Sequence, residues 1–175
     1  MTVLAMTKPA MTTGKFIIEI KPKKTDFDPL AHGVTRELVE SGVPPAKAVV
    51  TTNRLYRLEG ELTLAQVHKA AELLLVDPVI EVWQVVDLAR KLKKGKGRGF
   101  VIDVWPRPGV TDPVGETVKK GLRDLGFFKI TSSSSGIRYI FPRILEPQVL
   151  ETLAKRNLAN ELVHNVTIRK ANESY

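Results

Sequence analysis

The chain has 175 residues, 43% of them hydrophobic and 26% charged, which suits one large globular domain or two small ones. It contains no cysteine, which excludes disulfides, cysteine-ligated zinc and thiol catalysis together and fits a cytosolic protein, and no apolar run approaches the roughly 18–20 residues of a membrane helix. The net charge is +8, but six cations and one acid in Asp87–Gly99 supply +5 of it, and a local run is weaker evidence for nucleic acid than a basic face.

Met1–Lys15 mixes small and polar residues and lacks a basic segment followed by a continuous apolar stretch, so it reads as a loose leader and not a secretory signal. Phe16–Ile20 is apolar and β-branched, a strand. Asp28-Pro29 then places an acceptor at an N-cap and a proline at the first helical position, where its missing N–H costs nothing. Leu30, Val34 and Leu38 give the following helix one apolar stripe, and Gly42 supplies its left-handed end. Strands over about Ala48–Thr52 and Leu55–Leu58 are expected next, with Asn53 at their turn. A second helix carries Leu64, Val67, Ala71 and Leu74, and a last strand covers Val79–Val85. The basic run through Gly99, with Gly95 and Gly97 among its lysines, reads as a solvated linker.

The pattern then starts again. Phe16–Gly42 aligns with Phe100–Gly126 without a gap at an offset of 84. Identities are Phe16/Phe100, Ile18/Ile102, Pro22/Pro106, Asp28/Asp112, Pro29/Pro113, Val34/Val118, Leu38/Leu122 and Gly42/Gly126. Later parts align at an offset of 83, pairing Tyr56 with Tyr139, Ala71 with Ala154 and Leu75 with Leu158. The second copy predicts a helix with Val114, Val118, Leu122 and Leu125. Strands follow at about Lys129–Ser133 and Ile137–Phe141 with Gly136 at the turn. A helix with Pro147 in its first turn and a strand over Leu162–Ile168 complete the copy. The reading is therefore α+β: two tandem β-α-β-β-α-β, ferredoxin-like units, residues 16–86 and 100–169, joined by linker 87–99 and followed by tail 170–175. Each sheet should be antiparallel. Units this small bury little core alone, so the copies should pack on each other as a pseudo-two-fold intramolecular dimer.

The residues offer no catalytic, cofactor or metal site. Gly95-Lys96-Gly97-Arg98-Gly99 and Gly14-Lys15 both lack the spacing of a phosphate loop. Ser132–Ser135 has no histidine near it in sequence and no strand-turn-helix elbow, and reads as a polar strand end. His32, His68 and His164 fall in different elements without metal-ligand spacing. Glu37, Glu40 and Glu81 sit where solvated faces would be, and no catalytic dyad is legible in them.

Two stretches resemble one family. Pro108-Gly109-Val110-Thr111-Asp112-Pro113-Val114-Gly115, with the helix to Leu125-Gly126-Phe127, looks like the opening motif of PurS, the small subunit of phosphoribosylformylglycinamidine synthase. Leu75-Val76-Asp77-Pro78-Val79-Ile80-Glu81 is similar to that family's closing motif. The resemblance covers nearly all of both copies and implies a PurS dimer fused head to tail. It implies a non-catalytic subunit that bridges a glutaminase (PurQ-like) and an ATP-dependent synthase (PurL-like), helps shape the ammonia route, and self-associates. Its docking candidates are Pro108, Gly109, Asp112, Pro113, Gly115, Asp77, Pro78 and Glu81. The copies depart from the pattern in complementary ways. Lys24 and Thr25 stand where the second copy has Pro108 and Gly109, Ala31 stands for Gly115, and Asn160-Glu161-Leu162-Val163 stands for Asp77-Pro78-Val79-Ile80. The alternative is a tandem ferredoxin-like nucleic-acid module. Base stacking on Tyr56 and on Gly136-Ile137-Arg138-Tyr139-Ile140-Phe141 would carry it, in a chain only 6% aromatic.

Overall fold

The structure is a computed structural model that describes residues 13–90, 97–143 and 145–173. Leader residues 1–12 and linker residues 91–96 lie outside the described residues, so the expectations placed on them are not taken further. The first copy contains β1 (Gly14–Pro22), α1 (Pro29–Glu40), β2 (Thr51–Gly60), α2 (Leu64–Ala70) and β3 (Glu81–Asp87). The second contains β4 (Phe100–Pro106), α3 (Pro113–Asp124), β5 (Ile130–Phe141), α4 (Pro147–Leu153) and β6 (His164–Lys170). A π-helical turn extends α2 over Ala71–Leu75 and α4 over Ala154–Leu158.

The described strands form one antiparallel sheet of six, ordered β3-β1-β2-β5-β4-β6. Equivalent pairs keep equivalent register: Phe16 opposes Leu58 and Asp87, as Phe100 opposes Phe141 and Lys170. At the centre, β2 and β5 pair from Thr51↔Ile140 through Gly60↔Ile130. In this ladder Arg54 faces Ile137, its own equivalent at the offset of 83, so the pseudo-two-fold axis passes through that pair. The α+β class, the antiparallel pairing and the pseudo-two-fold packing are as the sequence indicates, but the two expected sheets are joined through β2 and β5 into one.

The middle of each copy differs in detail. Of the two short strands expected on either side of Asn53, Ala48–Val50 lie outside any strand and the rest run as the single strand β2, while those around Gly136 run as β5. Each long strand finds its neighbour in the other copy, so nothing requires it to fold back on itself. Asn53 Nδ2 donates to Glu19 Oε1 at 2.5 Å instead of shaping a turn, and Gly136 is small because the Trp105 ring lies against it. The last strands begin two residues later than expected, because Asp77 closes a turn: its Oδ1 accepts Val79 N at 2.8 Å and its carbonyl accepts Glu81 N at 2.9 Å.

All four helices lie on one sheet face, and the copies exchange their first helices. The α1 stripe, Ala31, Val34 and Leu38, packs with Ile102 and Val104 of β4, Tyr139 and Phe141 of β5, and Leu150 and Leu153 of α4. The α3 residues Val118 and Leu122 pack with Phe16, Ile18 and Ile20 of β1, Tyr56 and Leu58 of β2, and Val67 of α2. Each half-sheet is therefore covered by one helix of its own and one from the other copy. Tyr56, Tyr139 and Phe141 are buried beneath these helices and are not available to stack bases. Leu30 and Val114 stay exposed at the helix starts, and Leu74 is exposed because the π-helical turn shifts the phase of its stripe.

The opposite sheet face holds a small apolar group, Ile17, Leu55 and Trp105, beside a buried charge network. Arg138 donates from Nη1 to Glu19 Oε2 at 2.8 Å, and from Nε and Nη2 to Asp103 at 2.6 and 2.8 Å. Gln84 also donates to Glu19, at 2.9 Å, and Arg169 approaches Asp103 at 3.4 Å. Burial pushes the Glu19 carboxyl up, but Arg138 and the Gln84 and Asn53 amides outweigh it and hold it below the usual carboxylate range.

Candidate functional site

Both α1 and α3 begin as the sequence predicts, with Asp at the N-cap and Pro at the first position. Asp28 Oδ1 accepts Ala31 N at 3.0 Å, and Asp112 Oδ1 accepts Gly115 N at 2.8 Å. Each aspartate also reaches the central strand of its own copy. Asp28 Oδ2 accepts Thr52 N at 2.7 Å, and Asp112 Oδ2 accepts Ser135 N at 2.6 Å. The hydroxyls of Thr52, Ser134 and Ser135 complete these sets. Burial raises the Asp112 carboxyl, but the Gly115 and Ser135 N–H groups and the two serine hydroxyls together hold it below the usual range. Ser134 and Ser135 thus serve as anchors for a helix start, a role that their sequence context does not reveal.

Pro113 follows Asp112 as the exposed first residue of α3. Gly115 is buried for a packing reason: an added Cβ would lie 2.6 Å from Asp112 Oδ2 and 2.7 Å from the Ser133 carbonyl oxygen. Pro108 and Gly109 form an exposed turn in which Val110 N donates to Arg107 O at 3.0 Å and Gly109 has φ +86°, with open space where a Cβ would be. Asp77 and Pro78 sit in the exposed turn before β3, where Lys23 Nζ donates to Pro78 O at 2.6 Å. Glu81 accepts from Arg54 Nη2 through both oxygens at 2.8 Å, and its Oε2 also accepts Asp77 N at 3.0 Å.

Three of the eight candidates come together. Asp112, Pro113 and Glu81 line one cleft of about 690 Å³ between the starts of α1 and α3, on the pseudo-two-fold axis. Pro108, Gly109, Gly115, Asp77 and Pro78 lie outside that lining. Equivalent residues face each other across the cleft: Ile20 and Val104, Asp28 and Asp112, Pro29 and Pro113, Leu30 and Val114. Phe27, Leu30, Val110 and Val114 make its rim apolar and exposed. The floor breaks the symmetry, with Arg54 and Glu81 on one side where Ile137 and His164 stand on the other. Sequence reasoning missed Arg54, Phe27 and the rim. The available signal was Leu30 and Val114 at the head of each stripe, one turn ahead of the residues that reach the core.

A family model described as PurS: phosphoribosylformylglycinamidine (FGAM) synthase aligns with the second copy. Residues 100–172 match the PurS family. The matched segment opens at β4 and runs past the end of β6, so it takes in the whole second copy as a PurS-type domain. The first copy repeats that domain element by element and register by register. The match links the second copy to a family described by FGAM synthase. No curated protein matches the sequence. Among the described residues, no helix is long and apolar enough to cross a membrane.

Proposed function

We propose that the chain is a tandem PurS, two family units in one polypeptide, acting as a non-catalytic assembly subunit of FGAM synthase in the cytoplasm. The observation that carries this reading is the PurS match over 100–172 together with a first copy that repeats the matched domain strand for strand. The subunit bridges a glutaminase and the ATP-dependent synthase subunit and helps pass ammonia between them. Its docking surface includes the axial cleft, with Asp112, Pro113 and Glu81 in the lining and exposed Phe27, Leu30, Val110 and Val114 around the mouth. An apolar patch rimmed by polar residues is what a protein partner covers. The turns Pro108-Gly109 and Asp77-Pro78 lead into the lining residues Val110 and Glu81 and extend that surface.

The test combines the chain with the glutaminase and ATP-dependent subunits of its own organism and measures amidine formation from glutamine and from free ammonia. The chain should be required for the glutamine-driven rate and much less so for the ammonia-driven one. Equal glutamine-driven rates with and without it would end the proposal. Leu30→Asp with Val114→Asp alters the rim without touching the capping aspartates. It should lower the glutamine-driven rate by about tenfold or more, on the scale of a lost interface hot spot.

A further inference from the structure

A second cleft lies mainly against the first copy, with Ile140 of the second in its lining, and its pseudo-symmetric counterpart is plugged. It measures about 670 Å³, and its lining includes Lys21, Lys23, Lys24, Thr25, Thr51 and Asn53. Lys21 follows the Ile20↔Arg54 pair and so stands beside Asn53 on the sheet face away from the helices. At the equivalent places the second copy has Trp105 beside Gly136. There the indole lies over the glycine so closely that an added Cβ would fall 2.6 Å from a ring carbon, and the Arg57 guanidinium stacks on the ring at 4.4 Å. The residue equivalent to Arg57 is Ile140, which lines the open cleft. One copy fills the space with a stacked tryptophan. At the open cleft Lys21, Asn53 and Ile140 stand in place of the ring, the glycine and the stacking arginine, and lysines surround the opening.

The lining holds three lysines and two buried acids. Its two buried acids are satisfied within the fold: Glu19 by Arg138, Asn53 and Gln84, and Asp28 by Ala31, Thr52 N and the Thr52 hydroxyl. Lys23 is held by the carbonyls of Pro78 and Val79. Lys21 and Lys24 enter no ion pair with any described residue, and they sit beside the hydroxyls of Thr25 and Thr51. Ammonium groups without counter-ions, hydroxyl donors and a volume suited to a small molecule are the requirements for a multivalent phosphate ligand.

We infer that this cleft of the first copy binds a small phosphate-bearing molecule, which would be a function of the fused chain separate from its assembly role. The ligand is recognised by its phosphate charge at Lys21 and Lys24. The inference does not rest on the synthase assignment, because it is read with the purified chain alone.

The test is calorimetric titration of the full chain with four probes: pyrophosphate, ADP, adenosine and citrate. Pyrophosphate and ADP should bind saturably, adenosine should not, and citrate should bind at least tenfold more weakly than pyrophosphate. Two variants locate the site. Lys21→Trp with Asn53→Gly transplants the plug of the second copy, and Lys21→Ser with Lys24→Ser removes the charge while leaving the space. Each should weaken pyrophosphate binding by about tenfold or more, whereas Lys120→Ser on the exposed face of α3 should not. The serine variant alters only exposed side chains, so it should retain the wild-type melting transition even if the plug variant does not fold. Absence of saturable pyrophosphate binding, citrate binding as tight as pyrophosphate, or unchanged affinity in a folded serine variant would each overturn the inference. So would binding confined to oligonucleotides or heparin, which would mark a polyelectrolyte surface.

Discussion

Arg138 shows how fusion has broken the symmetry of the pair. Glu19 and Asp103 are equivalent acids, one from each copy, and both converge on this one arginine, whose own equivalent in the first copy is the fully buried Leu55. Two identical chains could not make this arrangement, because a residue that is arginine in one would be arginine in both. Burying charges is expensive, and removing one partner leaves the others uncompensated. Arg138→Leu should therefore destabilise the protein by about 3–5 kcal/mol in a denaturant titration at neutral pH. A loss no larger than that of an exposed arginine such as Arg36 would refute the network's importance. The acids also set a pH dependence. The folded-state pKa values of Glu19 and Asp112 are both lowered, so the unfolded chain binds more protons as pH falls. Their contribution is complete above the unfolded carboxylate range and is lost as pH falls through the folded-state values. Stability should thus decline from about pH 5 downward, and Glu19→Gln should flatten that decline while lowering stability at neutral pH. An unchanged acid slope in Glu19→Gln would show that other carboxylates govern it.

Two helical glycines that look alike in sequence should respond oppositely to alanine. Gly33 lies inside α1 with nothing within 4 Å of an added Cβ, so Gly33→Ala should gain about 0.5–1 kcal/mol of helix propensity. Gly115 lies in the first turn of α3 against the Ser133 carbonyl and the Asp112 carboxylate, neither of which can retreat without breaking the cap. Overpacking there costs about 1–3 kcal/mol, which exceeds the propensity gain, so Gly115→Ala should lower the melting temperature. A rise in both variants would mean that α3 sits farther from β5 than the contacts indicate. The same contrast marks the limit of sequence reading at this scale. Helix starts, the Gly42 and Gly126 ends and the apolar stripes were legible because local chemistry dictates them. The continuous central strands were not, because Asn53 and Gly136 carry turn chemistry, whereas their actual roles, a bond to Glu19 and a seat for Trp105, depend on residues far away in the chain. The candidate site was legible only in part for the same reason. Asp112, Pro113 and Glu81 meet through the placement of α3 over the first copy's strands, and nothing local to Glu81 announces its pairing with Arg54.

The exchange of first helices makes the whole molecule the unit of folding. The internal repeat told that two copies exist and that they should pack together, but not that each would complete the other's core. Val118 and Leu122 pack beside Phe16, Ile18 and Ile20, while Val34 and Leu38 pack beside Ile102 and Phe141. Cutting the chain in the linker would strip a core-covering helix from each half-sheet and expose one long edge of the β2–β5 ladder on each piece. Burying a large aliphatic side chain is worth about 1.5–3 kcal/mol, so the two or three buried residues of each lost stripe amount to a large share of the 5–15 kcal/mol that stabilises a typical domain. Neither half should therefore fold as a monomer. Residues 13–90 and residues 97–173, made separately, should each be unfolded or self-associated, with no cooperative unfolding transition attributable to a monomer. Mixing them at micromolar concentration should restore a cooperative transition, at a melting temperature below that of the intact chain and rising with concentration, since fusion replaces a bimolecular encounter by an effective concentration of order mM. Analytical ultracentrifugation with circular dichroism decides the matter. A monodisperse, cooperatively melting monomer of either half would show that one copy carries a sufficient core, and that the exchange of helices is a feature of packing and not a condition of folding.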